Sequence, residues 1–296
     1  MTYGEACRQG QRELAESGIP SAFLDTTIIL ASLLGISREI LLAYPEHELG
    51  TCERPFRAAI TRRKTGLPVA YITGIKEFWG LNFHVSPDVL IPKPDTELLV
   101  EKSLEILRHM GKNRIDEHPL NIADICTGSG CAAVSLLHSL AERDFSLPYR
   151  VLASDISDKA LDVARRNADN LLSPPARKAL VFYQGDLLDA ISEVEPFDLI
   201  ISNPPYVPSR ITRELLADGR SEPALALDGG EDGLDIIRRL IPQAMARLKK
   251  GGLLLIETGE YNAGETRLLF GKAGFTGIVT YDDIEGAPRV TGGVKP

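Results

Sequence analysis

The 296 residues carry 33 Lys and Arg against 41 Asp and Glu, a formal net charge of −8, with 44% apolar and 25% charged residues. That balance argues against a protein held on nucleic acid by broad phosphate contacts, which need a cationic surplus. It suits one large or two smaller folded domains, with enough chain to bury a core. No apolar run approaches the length of a membrane helix, and residues 1–10 carry no signal-peptide pattern. The four cysteines (Cys7, Cys52, Cys126, Cys131) include no C-x-x-C pair, and His is sparse. The expectation is therefore a cytoplasmic chain with reduced, mostly buried thiols and no metal. With no coiled-coil pattern in sight, it is also expected to be a monomer and to bind neither membrane nor nucleic acid.

Residues 1–70 read as helical. Tyr3, Cys7, Gly10 and Leu14 recur at helical spacing. Ser21 is placed to cap a second helix with Leu24, Ile28, Ala31 and Leu34 on one face, ended by Gly35. Ser37 starts a short third segment, apolar over 40–42. Residues 51–64 form a fourth helix, basic at its end, where Arg62, Arg63 and Lys64 read as a solvated tip. Over 71–93 aromatic and β-branched residues (Tyr71, Ile72, Phe78, Trp79, Phe83, Val85) alternate with Gly and Pro, predicting a β-hairpin linker. Phe78 and Trp79 either wall a pocket or pack the hairpin onto its neighbours. Residues 96–109 then form a helix.

From 120 onward, strands alternate with helices, the signature of a mostly parallel sheet. Strands are expected at 121–125, 150–154, 179–184, 197–202, 252–257, 277–281 and 289–291, and helices at 131–141, 158–171 and 233–248. The last two strands are expected to pair antiparallel at one end of the sheet. The fold class is α/β: a helical bundle (1–70), a hairpin linker (71–93) and a Rossmann-like, seven-stranded domain (94–296).

The first strand of that sheet runs into Asp124, Ile125, Cys126, Thr127, Gly128, Ser129 and Gly130. Glycines between strand and helix let a ligand approach the backbone, although a tight turn alone would look the same. Asp155 ends the second strand, where an acid commonly binds ribose hydroxyls; it could also cap the following helix. Gly185 and Asp186 follow the third strand, where the acid could accept from an adenine amino group or simply shape a turn. The third glycine of a dinucleotide site is missing. Three acids in succession (Asp124, Asp155, Asp186) suit a cationic sulfonium better than a pyrophosphate.

The fourth strand runs into Asn203, Pro204, Pro205 and Tyr206. Proline cannot donate to a ladder, so the pairing stops there and the Pro204 carbonyl stays free. An amide NH₂ is a poor nucleophile. The Asn203 side-chain oxygen can accept one of its N–H groups and the Pro204 carbonyl the other, aiming the nitrogen lone pair at an electrophilic methyl. Tyr206 can pack on the planar group. A Pro-rich loop with Asn203 merely satisfying backbone is the bland alternative. In this setting the tetrapeptide resembles that of the amino-methyltransferases, which methylate exocyclic or amide nitrogens.

Further stretches extend the likeness: Arg62-Arg63, Pro68, Tyr71-Ile72-Thr73-Gly74, Glu77-Phe78-Trp79-Gly80-Leu81 and Leu90-Ile91-Pro92-Lys93-Pro94-Asp95-Thr96-Glu97. It continues through Glu222-Pro223-Ala224-Leu225, Gly229-Gly230, Asp232-Gly233-Leu234-Asp235, Gly251-Gly252 and Glu257. Together these resemble the HemK/PrmC family, the peptide chain release factor glutamine N5-methyltransferases, over nearly the whole chain. The resemblance implies a class I methyltransferase that uses S-adenosylmethionine, yields S-adenosylhomocysteine and acts on the glutamine of the Gly-Gly-Gln loop of class I release factors, with the helical domain holding the release factor. It further implies that Cys126, Thr127, Gly128, Ser129 and Gly130 line the methionine part of the cofactor, Asp155 its ribose, and Asp186 and Leu187 its adenine. Asn203 would meet both cofactor and substrate, and Pro204, Pro205 and Tyr206 the amide.

Three positions depart from the family pattern. Lys93 replaces the usual Arg, keeping the charge but losing the bidentate fork. Cys126 stands where Gly is common; cysteine avoids φ > 0, and the turn is expected to be unchanged. Asn262 stands where Gln is frequent.

A ribosomal-protein glutamine methyltransferase shares the tetrapeptide, but its linker tends to lack the Pro-Lys-Pro-Asp-Thr-Glu run found here. A nucleic-acid adenine methyltransferase would need a recognition domain and a basic surface. A decayed, non-enzymatic adaptor would have lost Asn203 or the glycine loop, and both are present.

Overall fold

The computed structural model describes residues 1–113, 118–142, 148–191, 195–217 and 222–296. The chain divides into two compact units, Met1–Ile75 with Glu214–Ser221, and Lys76–Arg213 with Glu222–Pro296. No helix among the described residues is long and apolar enough to cross a membrane.

The first unit holds α1 (Tyr3–Glu16), α2 (Ala22–Leu34), α3 (Arg38–Ala43), α4 (Glu53–Lys64) and α5 (Val69–Thr73). Its core gathers Leu14, Ile29, Leu30, Leu41, Phe56 and Ile60. A capping box starts α1: Thr2 Oγ1 accepts from Glu5 N, and the Glu5 carboxylate accepts from Thr2 N. Gly10 lets α1 approach α2, because a Cβ there would lie 2.6 Å from Thr26 Cγ2.

Four expectations change in this part of the chain. The buried face of α2 carries Asp25, Thr26, Thr27, Ile29 and Leu30, while Leu24 is exposed. Its polar residues Asp25, Thr26 and Thr27 fall on the buried side, so the apolar pattern does not select the face. The threonines bury cheaply because their hydroxyls donate back to Ala22 and Leu24 carbonyls. Ser21 is already near-helical (φ −91, ψ 23) and makes no cap bond; its hydroxyl donates to Asp25 instead. Arg63 is not solvated: Nε donates to the buried Asp25 carboxylate at 2.8 Å and Nη1 to the Leu67 carbonyl. Tyr71 and Ile72 belong to α5, not to the hairpin, while Gly35 and Ser37 act as expected.

The second unit takes in the hairpin of β1 (Ile75–Phe78) and β2 (Leu81–His84), and α6 (Thr96–Asn113). Then follow β3 (Leu120–Ile125), α7 (Cys131–Glu142), β4 (Tyr149–Asp155), α8 (Asp158–Leu171), α9 (Pro174–Lys178), β5 (Leu180–Gln184) and β6 (Phe197–Ser202). The chain closes with α10 (Ser209–Ala217), α11 (Ala224–Leu227), α12 (Asp235–Arg247), β7 (Leu248–Glu257), α13 (Ala263–Lys272), β8 (Thr276–Asp282) and β9 (Pro288–Val294).

The seven expected strands form one sheet in the order β5-β4-β3-β6-β7-β9-β8. The first five are parallel; β9 runs antiparallel to both β7 and β8. Every residue of β3 and β6 is buried, as central parallel strands require. Alternate residues of β3 feed opposite cores: Leu120 and Ile122 pack with Leu99, Leu136 and Leu137, and Ala123 and Ile125 with Ile237, Leu240 and Phe270. The strand order reverses at β3, whose two neighbours are β4 and β6. A crevice opens there beyond the carboxyl ends of the strands.

Candidate active site

The loop after β3 is tied from below. Asp124 is buried, and its Oδ2 accepts from Thr127 Oγ1 at 2.6 Å and from Ala133 N at 3.3 Å. Burial outweighs those two bonds and pushes the carboxyl up to about 7. Cys126 has φ +61, so the expectation that this residue would avoid φ > 0 is corrected. The backbone keeps the left-handed turn a glycine would take, and the cysteine bears the strain of about 1–2 kcal/mol. Burial beside Asp155 raises its thiol well above the usual range, and Cys131 is pushed up to about 12. All four thiols are free, but only Cys7 is fully buried.

Gly128 and Gly130 take φ +55 and +78. A Cβ at Gly128 would meet nothing within 4 Å, while one at Gly130 would press Ala164 of α8 at 3.1 Å. The first glycine keeps space open and the second admits the helix. Asp155 uses both oxygens on backbone: Oδ2 accepts from Gly128 N and Oδ1 from Ser157 N, each at 2.9 Å. Ser157 caps α8 itself, accepting from Ala160 N. Asp155 thus joins the glycine loop to the helix start, and its remaining lone pairs can still accept from hydroxyls. Desolvation raises its pKa. After β5, Asp186 forms an ion pair with Arg239 of α12, and Leu187 (φ +51) accepts from Ser154 Oγ at its carbonyl.

These groups surround a cavity of ≈ 320 Å³. Cys126, Thr127, Gly128, Ser129, Asp155, Asp186, Leu187, Asn203 and Pro205 line it, whereas Gly130, Pro204 and Tyr206 are not in its wall. Its walls hold the carboxylates of Asp88, Asp124, Asp155, Asp186 and Asp228 against the two cations Lys93 and Arg239. An acidic, largely apolar chamber with an open face at Gly128 fits a nucleoside sulfonium and would repel a pyrophosphate.

The tetrapeptide follows β6, whose register sets Ser202 beside Ile256 of β7. Asn203 Nδ2 donates to Thr96 Oγ1 at 3.0 Å, and no hydrogen bond among the described residues engages Asn203 Oδ1 or the Pro204 carbonyl. Tyr206 donates its hydroxyl to Glu257 Oε1 at 3.3 Å. Burial and the Glu257 charge hold the phenol far above its usual pKa. Glycines clamp the tetrapeptide from outside. A Cβ at Gly229 would lie 2.7 Å from the Pro205 carbonyl oxygen, and one at Gly233 (φ +79) would collide with the Tyr206 carbonyl oxygen. Asn262 Nδ2 donates to that same carbonyl at 3.1 Å and to the Gly233 carbonyl at 3.4 Å.

Phe78 and Trp79 pack rather than wall the cavity. Phe78 is buried edge-on to Phe83, and Trp79 Nε1 donates to Ser139 Oγ at 2.8 Å. Trp79 and Gly80 both have φ > 0 (57 and 72), the geometry of a two-residue hairpin turn. Lys93 makes a single bond, to Glu222 Oε1 at 2.7 Å, where a guanidinium could make two. Sequence reasoning gave no role to Thr96, Arg239 or Glu257. Thr96 and Glu257 had left a signal as members of the quoted motifs, Glu257 also as a carboxylate ending the apolar run of β7; Arg239 had left none.

Residues 5–74 match the family described as PrmC N-terminal domain, and residues 101–220 match the methyltransferase small domain. The release factor glutamine methyltransferase of Moorella thermoacetica is 42% identical over 88% of this chain and 86% of its own length. That of Koribacter versatilis is 37% identical over 100% of this chain and 99% of its own. The solved hMettl16 catalytic domain, in complex with a 3'UTR hairpin, covers 82% of this chain and 81% of its own at 14% identity and a TM-score of 0.53, a likeness of fold alone. With full-length relatives at that level of identity, the chain belongs to the release factor glutamine methyltransferase family.

Proposed function

We propose that the chain transfers a methyl group from S-adenosylmethionine to the side-chain amide N5 of the glutamine in the Gly-Gly-Gln motif of class I release factors. The observation that carries this reading is the Asn203 amide. Its NH₂ is committed to Thr96 and its oxygen is unengaged, at the wall of the acidic cavity. Cys126, Thr127, Gly128, Ser129, Gly130 and Asp155 would hold the cofactor, with Asp186 and Leu187 at its adenine end. When bound, the cofactor supplies an electrophilic methyl on a sulfonium. Asn203 Oδ1 and the Pro204 carbonyl each accept one N–H of the substrate amide and fix its nitrogen for in-line attack. The same two oxygens stabilise positive charge as it develops on that nitrogen, while Pro205 stiffens the turn and Tyr206 braces the planar group. Residues 1–70 would hold the release factor. The enzyme would act as a cytoplasmic monomer that touches neither nucleic acid nor membrane.

The test is methyl transfer from labelled cofactor to purified release factor, run beside the same factor with the Gly-Gly-Gln glutamine changed to alanine. Label is expected on the native factor alone, and Asn203→Ala enzyme is expected to be slower by about 10²–10³-fold. No label on either factor would turn attention to ribosomal-protein or nucleic-acid amides and amines. Full activity of Asn203→Ala would overturn the mechanism.

A further inference from the structure

Beyond the residues proposed to touch the cofactor, we infer that Arg239 is a positioning residue, backed by Gln243 on the same face of α12, that sets the adenine end of the cavity for a purine carrying an amino group. The inference rests on the reading that Asp186 and Leu187 meet the adenine of the cofactor.

The segment after β5 offers a matched pair of unengaged groups. Asp186 and Leu187 both line the cavity. No hydrogen bond among the described residues engages Asp186 Oδ1 or the Leu187 N–H. A carboxylate oxygen only accepts and a backbone N–H only donates. On consecutive residues, they complement the edge of an aminopurine, which presents an amino N–H next to a ring nitrogen lone pair. An oxopurine presents the reverse, a carbonyl next to a ring N–H. It would set acceptor against acceptor and donor against donor.

Neither group keeps this arrangement by itself. Asp186 is half-exposed and could turn either oxygen to the cavity. Leu187 sits at φ +51, a backbone conformation that a leucine rarely adopts. Both are held from α12, where Arg239 and Gln243 stand four residues apart and so share a face. Arg239 Nη2 donates to Asp186 Oδ2, which leaves Oδ1 as the open oxygen. Gln243 Oε1 accepts from Leu188 N at 3.1 Å, and its Nε2 donates to Asp189 Oδ2 at 3.3 Å. Leu187 is thus bracketed on both sides, and its own carbonyl accepts from Ser154 Oγ at 3.1 Å. A strained residue persists where its surroundings over-determine it. Stability gives Arg239 no comparable reason to be there. The two side chains of its ion pair are 48% and 45% exposed, and pairs so exposed add little.

The experiment measures binding to the full chain by titration calorimetry, with S-adenosylhomocysteine and its 6-oxo counterpart S-inosylhomocysteine as probes. These lack the sulfonium, so the loss of a protein cation does not by itself favour the ligand. The wild type is expected to prefer the amino form by about 100-fold or more. Arg239→Met is expected to raise the Kd of the amino form about 10-fold and to leave that of the oxo form little changed. Arg239→Lys, which keeps a charged donor, should recover part of the discrimination. In the Asp186→Asn background the Arg239→Met change is expected to cost little, because it acts through that carboxylate. Equal rises for both probes in Arg239→Met would overturn the inference, as would discrimination retained in full. A wild type that binds the two probes alike would instead sink the underlying reading of Asp186 and Leu187, so the two failures are told apart.

Discussion

The loops at 126–130 and 203–206 leave neighbouring parallel strands, β3 and β6, at the same edge of the sheet, yet they are held by different means. The first is fastened through its own backbone. Asp155 grips Gly128 N, Asp124 grips Ala133 N and the Thr127 hydroxyl, and three residues sit at φ > 0. The second is fastened through side chains at its two ends and by glycine backbone pressed against its outer face. Each rests on one buried carboxyl pushed up to about 7, Asp124 under the first and Glu257 under the second. The difference follows from the task. A loop that cradles a ligand with backbone needs its amides aimed. A loop that binds an amide needs its carbonyl and side-chain oxygens left free.

The largest effect expected from this comparison is on stability against pH. A carboxyl whose folded pKa lies above its unfolded value favours folding while protonated. That contribution is complete below about 4 and is lost as pH rises to about 7, with no further change above. Glu257 faces Asp95, which raises its pKa, and Thr96, Tyr206 and Arg289, which lower it; desolvation dominates. Asp124 faces Thr127, Ala133 and Asp155, again under desolvation. Removing either acid, as Asp124→Asn or Glu257→Gln, should erase on the order of 3 kcal/mol of that slope. Urea unfolding at pH 5 and pH 8 reads it: the variant gains on the wild type as pH rises. Parallel behaviour at the two pH values would mean the acid is ionised throughout.

Next in size is Gly233→Ala, which attacks the second loop alone. The added Cβ meets the Tyr206 carbonyl oxygen at a backbone angle only glycine tolerates. A displacement of the tetrapeptide by about 1 Å should cost about 10²-fold in kcat, with cofactor affinity little changed. Asp155→Asn is the mirror case. The amide cannot accept from both Gly128 N and Ser157 N, and one lost charge-assisted bond predicts a rise in cofactor Kd of about 10–100-fold. Transfer at saturating cofactor should move far less. If each variant damaged both quantities equally, the two loops would be one mechanical unit and the comparison would fail.

The sheet was legible because its central strands are continuous apolar runs, and the loops because glycine and proline mark where such runs stop. The helix α13 was not, since Gly264 and Gly271 interrupt its pattern and it buries only Ala263, Thr266 and Phe270. The face of α2 was misjudged because its polar residues Asp25, Thr26 and Thr27 lie on the buried side, so polarity does not mark the solvent face. Thr96 was already part of the quoted linker motif, but its partner Asn203 lies far along the chain. No local pattern encodes a hydrogen bond between strand ends that the topology brings together. The left-handed Cys126 was hidden for another reason. Residue type predicts preference, and here the surrounding loop overrules it.

That override gives the smallest and cleanest test. If the loop imposes φ +61 on position 126 whatever stands there, Cys126→Gly relieves the strain and Cys126→Ala retains it. Both lose the same thiol, which packs against the core beneath this face of the sheet. The glycine also gains freedom in the unfolded chain, which opposes the relief, yet at φ > 0 the steric term is the larger. Cys126→Gly should therefore be more stable than Cys126→Ala by about 1 kcal/mol, read from paired urea unfolding curves. Alanine equal to glycine would show that the turn relaxes with its side chain, and that the backbone ties from Asp155 and Asp124 do not dictate its shape.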